Sequence, residues 1–228
     1  MKTLRNLLRS KRSVEQTGIA TDIQYIVQST LSARHIASLS IYRSWERCHH
    51  ACSTGSKRAS YDLQLFLSKW SDPGAPVVLP AEAKQLQPII EMTNSSDAGI
   101  IRDVRFENLV LPEFQRTVLR IATSIESYLK QLGITRPIGD DMITTSVLWA
   151  TCAAIVPYDP QSRKAMRYLG LSDSFSVASM ASLSKFCLQH QNELERARSI
   201  CLEKKFTGSD MFILGMYLHQ LGESLIGL

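Results

Sequence analysis

The chain has 228 residues, 44% of them hydrophobic and 21% charged, so it is long enough to bury a substantial core and too apolar to be disordered by composition. Its most apolar run, the ten residues Val147–Val156, is far shorter than the roughly 18 residues a bilayer-spanning helix needs. The net charge of +5 is unevenly laid out: residues 1–12 carry five cations and no acid, and the remainder is formally neutral.

In chain order, the first expected element is a basic amphipathic arm at 1–14. Leu4, Leu7 and Leu8 fall on one helical face, with Lys2, Arg5, Arg9, Lys11 and Arg12 around it. Further basic residues follow, not the apolar core of a secretion signal, which predicts a cytoplasmic protein without leader or membrane span. Five cysteines, an odd number, agree with reduced thiols.

The arm resembles the openings of matrix proteins from negative-strand RNA viruses, which start with a short Leu/Lys/Arg helix. The likeness covers a dozen residues, lacks the Pro-rich motif common after such arms, and does not extend to the β-rich matrix fold.

After Gly18, Ile19, Ile23, Ile26, Val27 and Thr30 recur at helical spacing. A second helix is predicted from a Ser32 cap to Cys52, with Ile36, Leu39, Ile41, Tyr42 and Trp45 inward, closed by Ser53-Thr54-Gly55-Ser56. Tyr61, Leu63, Leu65, Phe66, Leu67 and Trp70 predict a short helix stopped by Asp72-Pro73-Gly74-Ala75-Pro76. Val77–Leu79 reads as extended, residues 81–92 as helix up to Pro88 or slightly beyond, and 94–99 as a polar linker. That linker divides the expected all-α fold into two lobes, 15–93 and 100–228.

Val104-Arg105-Phe106 could form a short strand. Pro112-Glu113 opens a helix with the inward stripe Phe114, Val118, Ile121, Ile125, Leu129 and Leu132, ending at Gly133. Gly139-Asp140-Asp141 starts a buried helix that Pro157 ends, and Asp159–Leu169 is a short basic helix. Ser172 or Ser174 caps a long segment in which Leu183, Cys187, His190, Leu194, Ala197 and Cys201 predict one continuous amphipathic helix. After Thr207-Gly208-Ser209, Leu214, Leu218, Leu221 and Leu225 line a final helix that pairs with it as a hairpin.

Chemical motifs are sparse. Cys48-His49-His50-Ala51-Cys52 puts two thiols one helical turn apart, half of a zinc site without a second half, so the reading is a metal-free helix end. The histidines at 35, 49, 50, 190 and 219 stand in no G-x-S-x-G or H-E-x-x-H pattern, which argues against an enzyme. No cofactor and no small-molecule substrate is implied.

The remaining signal is charge. The arm together with Arg34, Arg43, Arg47, Lys57, Arg58, Arg163, Lys164 and Arg167 predicts contact with a polyanion, and basic residues of the body could line a groove between the lobes. The expected function is a self-assembling, nucleocapsid- or coat-like protein that holds nucleic-acid backbone, RNA above all. The alternative is a peripheral membrane or matrix-type adaptor, docked on an anionic surface or a neighbouring subunit through Leu4, Leu7 and Leu8.

Overall fold

The computed structural model describes residues 22–32, 36–70, 79–134 and 141–225. The arm, Arg34, the Asp72–Val78 stretch and the Gly139-Asp140 helix start lie outside them. All regular structure among the described residues is helical and none is strand, so the fold is all-α as the sequence predicts. The α-helices are α1 (Ile23–Ser32), α2 (Ile36–Ser53), α3 (Ala59–Trp70), α4 (Gln87–Asn94), α5 (Pro112–Gln131), α6 (Asp141–Cys152), α7 (Pro160–Tyr168), α8 (Val177–Gln189), α9 (Gln191–Glu203) and α10 (Asp210–Ser224).

Helix α6 is the centre of the packing. Every residue from Met142 to Cys152 is buried, so the helix presents no solvent face and is enclosed by neighbours on all sides. Its Trp149 is the hub. The indole lies 5.5 Å from the Trp45 ring of α2, 4.9 Å from Trp70 of α3 and 6.2 Å from Phe212 of α10, centroid to centroid. It donates Nε1–H to the Met211 carbonyl at 2.8 Å, and its own carbonyl accepts from Trp45 Nε1 at 3.1 Å. Each buried aromatic of this cluster removes large apolar area from water, and the buried indole N–H groups of Trp45 and Trp149 are satisfied, whereas that of Trp70 has no partner among the described residues.

The amphipathic helices form where the apolar spacing predicts. Helix α1 buries Ile23, Ile26, Val27, Thr30 and Leu31. Helix α5 starts at Pro112, buries Phe114, Val118, Ile121, Ile125 and Leu129, and stops at Gly133 with φ +71°. Pro88 sits in the first turn of α4, where a missing N–H costs nothing, so it begins that helix and does not end one. Residues 94–101 run through the end of α4 into a 3-10 segment, Ser96–Ile101, that sends Ala98 and Ile101 into the core.

Several expectations are corrected. Val104-Arg105-Phe106 is not a strand: it leads into the 3-10 turn Phe106–Val110, and the Phe106 N–H is taken by Asp210 Oδ2 at 3.2 Å, leaving it no ladder partner. Ser32 is the last residue of α1, and α2 is described from Ile36. The long C-terminal segment is two helices, broken at His190 with φ −114° and ψ 23°. The break has a physical reason. Helix α8 packs on the Phe106–Val110 turn and α9 on α1, so one straight rod could not serve both neighbours. Glu193, just past the break, holds His190 Nδ1 at 2.8 Å and accepts the Ile23 N–H at the start of α1. The cap of α8 is Ser176, in a reciprocal capping box with Ser179, and not Ser172 or Ser174. Tyr61 of α3 is 51% exposed, and Leu65 is only half-buried.

A close backbone approach joins α10 to α7. A Cβ on Gly222 would stand 2.0 Å from the Gln161 carbonyl oxygen, a backbone atom that cannot move aside. Replacing Gly222 with Ala is expected to destabilise the protein by about 3 kcal/mol through overpacking. The control is Gly99→Ala, where a Cβ meets nothing within 4 Å and the expected melting temperature is unchanged or slightly higher. Thermal denaturation of the two variants checks both.

Candidate nucleic-acid interface

Sorting the cations by what their side chains already hold decides which of them can meet a partner. The last carbonyls of a helix lack intrahelical donors, and a buried helix end must find them elsewhere. Four cations serve this need or a similar one. Arg43 of α2 donates to the Lys204 and Lys205 carbonyls at the end of α9, both at 3.0 Å, while its guanidinium lies 3.8 Å from the Phe206 ring centroid. Arg102 donates to Thr151 O of α6 at 3.2 Å and to Thr93 O and Asn94 Oδ1 of α4. Lys164 of α7 reaches the Leu225 carbonyl after α10. Arg163 donates Nε–H to Tyr158 O at 2.7 Å and pairs with Asp141.

Of the cations singled out in the sequence, Arg43, Arg163 and Lys164 are thus committed to the fold, and Arg167 pairs with Asp173 at 2.6 Å. Helix α7, which carries the last three, packs on α10. Lys2, Arg5, Arg9, Lys11, Arg12 and Arg34 lie outside the described residues, as do Leu4, Leu7 and Leu8.

Arg47, Lys57 and Arg58 have a different placement. All three are exposed and make no ion pair with another described residue. Helix α2 buries Tyr42, Trp45, Cys48, His49 and Cys52 and leaves Arg43, Arg47 and His50 along its outer side, at spacings of four and three. The chain then turns through Gly55, with φ +65°, and delivers Lys57 and Arg58 at the start of α3. Because Arg43 grips the end of α9, exposed Lys204 and Lys205 continue the same ridge at the other end. From residue 43 to residue 53 the ridge rises about 15 Å along the helix. Glu46 pairs with Arg43 at 2.7 Å, and Asp103 pairs with His49 at 3.0 Å on the core side of α2.

The chain matches no family model, no curated protein and no solved structure. Its functional reading therefore rests on geometry and chemistry alone.

Two other constellations have the residue types of active sites and the geometry of structural supports. Asp159 caps α7, accepting the Gln161 and Ser162 N–H groups, and it also accepts from Ser162 Oγ and from His219 Nδ1 at 3.0 Å. Ser162 and His219 thus both address the carboxylate instead of each other, which is not the nucleophile–base–acid order that nucleophilic catalysis uses. Burial works against a charged His219, but Asp159, aided by Glu223, overcomes it and raises the imidazole pKa to about 10. Burial would likewise push Asp159 up, and the His219 charge holds it below the usual carboxylate range. The imidazolium also lies 4.5 Å from the Trp70 ring, centroid to centroid.

The second constellation is Cys48 with Cys52. Both are fully buried, and burial raises the Cys48 thiol well above its ordinary pKa, against the thiolate a zinc ion requires. Among the described residues no group of three or more His, Cys, Asp or Glu converges on a metal position.

The buried His219–Asp159 pair dictates a pH dependence of stability. Asp159, depressed in the fold, contributes fully above its unfolded pKa of about 3.9 and loses that contribution as pH falls through its folded value. His219, raised in the fold, contributes fully below its unfolded pKa of about 6.5 and loses that contribution as pH climbs toward about 10. His219→Gln is expected to cost about 3 kcal/mol near neutrality, because the Asp159 charge stays buried without its cation. It is also expected to flatten the decline in stability on the alkaline side of pH 6.5. Chemical denaturation across pH measures both effects.

Proposed function

We propose that this chain is a non-enzymatic protein that binds nucleic acid through its phosphate backbone, of the packaging kind found in nucleocapsids and coats. The observation that carries the reading is the ridge formed by Lys204, Lys205, Arg47, Lys57 and Arg58, whose side chains are exposed and make no ion pair with another described residue. A lone surface cation is unremarkable on any protein, but five exposed cations gathered along α2 and at its two ends offer several phosphate contacts at once. Such contacts neutralise phosphate and displace condensed counterions without reading bases, so RNA and DNA of many sequences would be held alike.

The arm at 1–14 adds five more cations to this reading and is the segment through which protomers would associate. It also carries the peripheral-membrane alternative, through Leu4, Leu7 and Leu8. No helix among the described residues is long and apolar enough to cross a membrane.

The test is the salt dependence of binding to a nucleic acid of mixed sequence. Substituting Arg47, Lys57 and Arg58 together by Ala removes three exposed cations that support no other part of the fold. The logarithmic salt slope is expected to fall by about 2, at an unchanged melting temperature. Full affinity and an unchanged slope in the triple variant would contradict the ridge as the binding surface. Retention of binding by liposomes of anionic lipid alone, with none to nucleic acid, would transfer the assignment to the membrane alternative.

A further inference from the structure

An open groove of about 450 Å³ lies beside the Lys57–Arg58 end of the ridge, lined by Tyr61, Gln64, Leu65, Ser68 and Leu79. Positions 61, 64, 65 and 68 recur at three- and four-residue spacing, so one side of α3 forms a wall of the groove. The volume falls within the roughly 300–1,000 Å³ of small-ligand sites, room enough for a nucleotide. Among the lining residues is Tyr61, a large aromatic left 51% exposed on a helix whose other aromatics, Phe66 and Trp70, are buried. The Arg58 guanidinium lies 5.8 Å from the Tyr61 ring centroid, near the outer limit of a cation–π contact. Gln64 gives its amide N–H to the Pro80 carbonyl at 2.6 Å, which ties the Leu79–Pro80 stretch to α3.

Duplex binding has no use for an exposed ring beside a recess, because paired bases are stacked already. A single strand does: its bases turn away from the phosphates and gain by stacking on an aromatic face, while adjacent cations meet the backbone. Charge complementarity comes from Lys57 and Arg58, and apolar contact for a base comes from Leu65 and Leu79.

We infer that the α3 groove is a nucleobase subsite for single-stranded nucleic acid, in which Tyr61 stacks on an unpaired base while Arg58 and Lys57 hold the flanking phosphates. This inference rests on the polyanion-binding reading above and gives it a strand preference. The ridge supplies charge along the backbone, and the groove distinguishes a polymer that carries bases from one that does not.

The experiment uses the full chain and two probes, a short labelled oligouridylate and inorganic polyphosphate, which has charge but no bases. Tyr61→Ala is expected to weaken oligouridylate binding about tenfold and leave polyphosphate binding unchanged, and Tyr61→Phe to retain wild-type affinity for both. Lys57→Ala with Arg58→Ala is expected to weaken both probes. Wild-type oligouridylate affinity in Tyr61→Ala, with the Lys57/Arg58 variant still impaired, would overturn the subsite and leave the polyanion reading standing. Failure of the wild-type chain to bind either probe would overturn both. An acidic peptide that needs Tyr61 for binding and that oligouridylate cannot displace would assign the groove to a protein partner and overturn the subsite.

Discussion

A helix with no solvent face cannot leave its terminal carbonyls to water. Helix α6 is buried from Met142 to Cys152, so the donors for its last turn must come from elsewhere in the chain. They arrive from three places: Trp45 Nε1 to Trp149 O, Arg102 to Thr151 O, and the Asp103 N–H to Cys152 O at 2.8 Å. Asp103 and Ala153 hold φ +48° and +49° at this junction, a conformation disfavoured for residues with a Cβ and sustained by the bonds around it. The segment after α4 is thus a capping device for the central helix, and so it packs where a polar linker was expected.

That requirement partitions the charge of the molecule. Arg43, Arg102, Arg163 and Lys164 spend their donors on carbonyls of the fold, where a charged donor is worth more than a neutral one. Buried acids consume further cations: Asp210, 1% exposed at its side chain, is paired with Arg198 and Arg105. What the interior does not use remains outside, and along α2 and its flanks it forms the ridge that ends at the Tyr61 groove. Formal neutrality of the body therefore coexists with a cationic face, because many of its charges cancel within the structure.

Much of the fold is legible in the sequence, and the exceptions share a cause. The stripe Phe114–Leu129 and the α1 positions Ile23–Thr30 are visible because one apolar side per turn faces one core, which is a local property. The apolar run Val147–Val156 is legible too as buried, although the helix expected to reach Pro157 ends at Cys152 and residues 153–156 leave it. The break at His190 is not, since the apolar spacing runs through it and only the two different neighbours of α8 and α9 require it. Nor does a sequence separate Arg43 and Lys164, which cap distant helices, from Arg47 and Lys57, which do not. That difference is tertiary. Tyr61 was hidden by its own hydrophobicity among the core residues of α3, although its three-residue offset from Arg58 already placed the two on one helical face.

The central claim is that nucleic acid lies along α2 and enters the groove of α3. Photo-cross-linking full-length protein to an oligonucleotide containing thiouridine, with mapping of the modified peptides, tests it most directly. The account predicts cross-links concentrated at Tyr61 and its neighbours between Lys57 and Ser68, competed by unlabelled single strands more effectively than by duplex. Cross-links confined to the first 21 residues, or to α7 around Arg163 and Arg167, would contradict it.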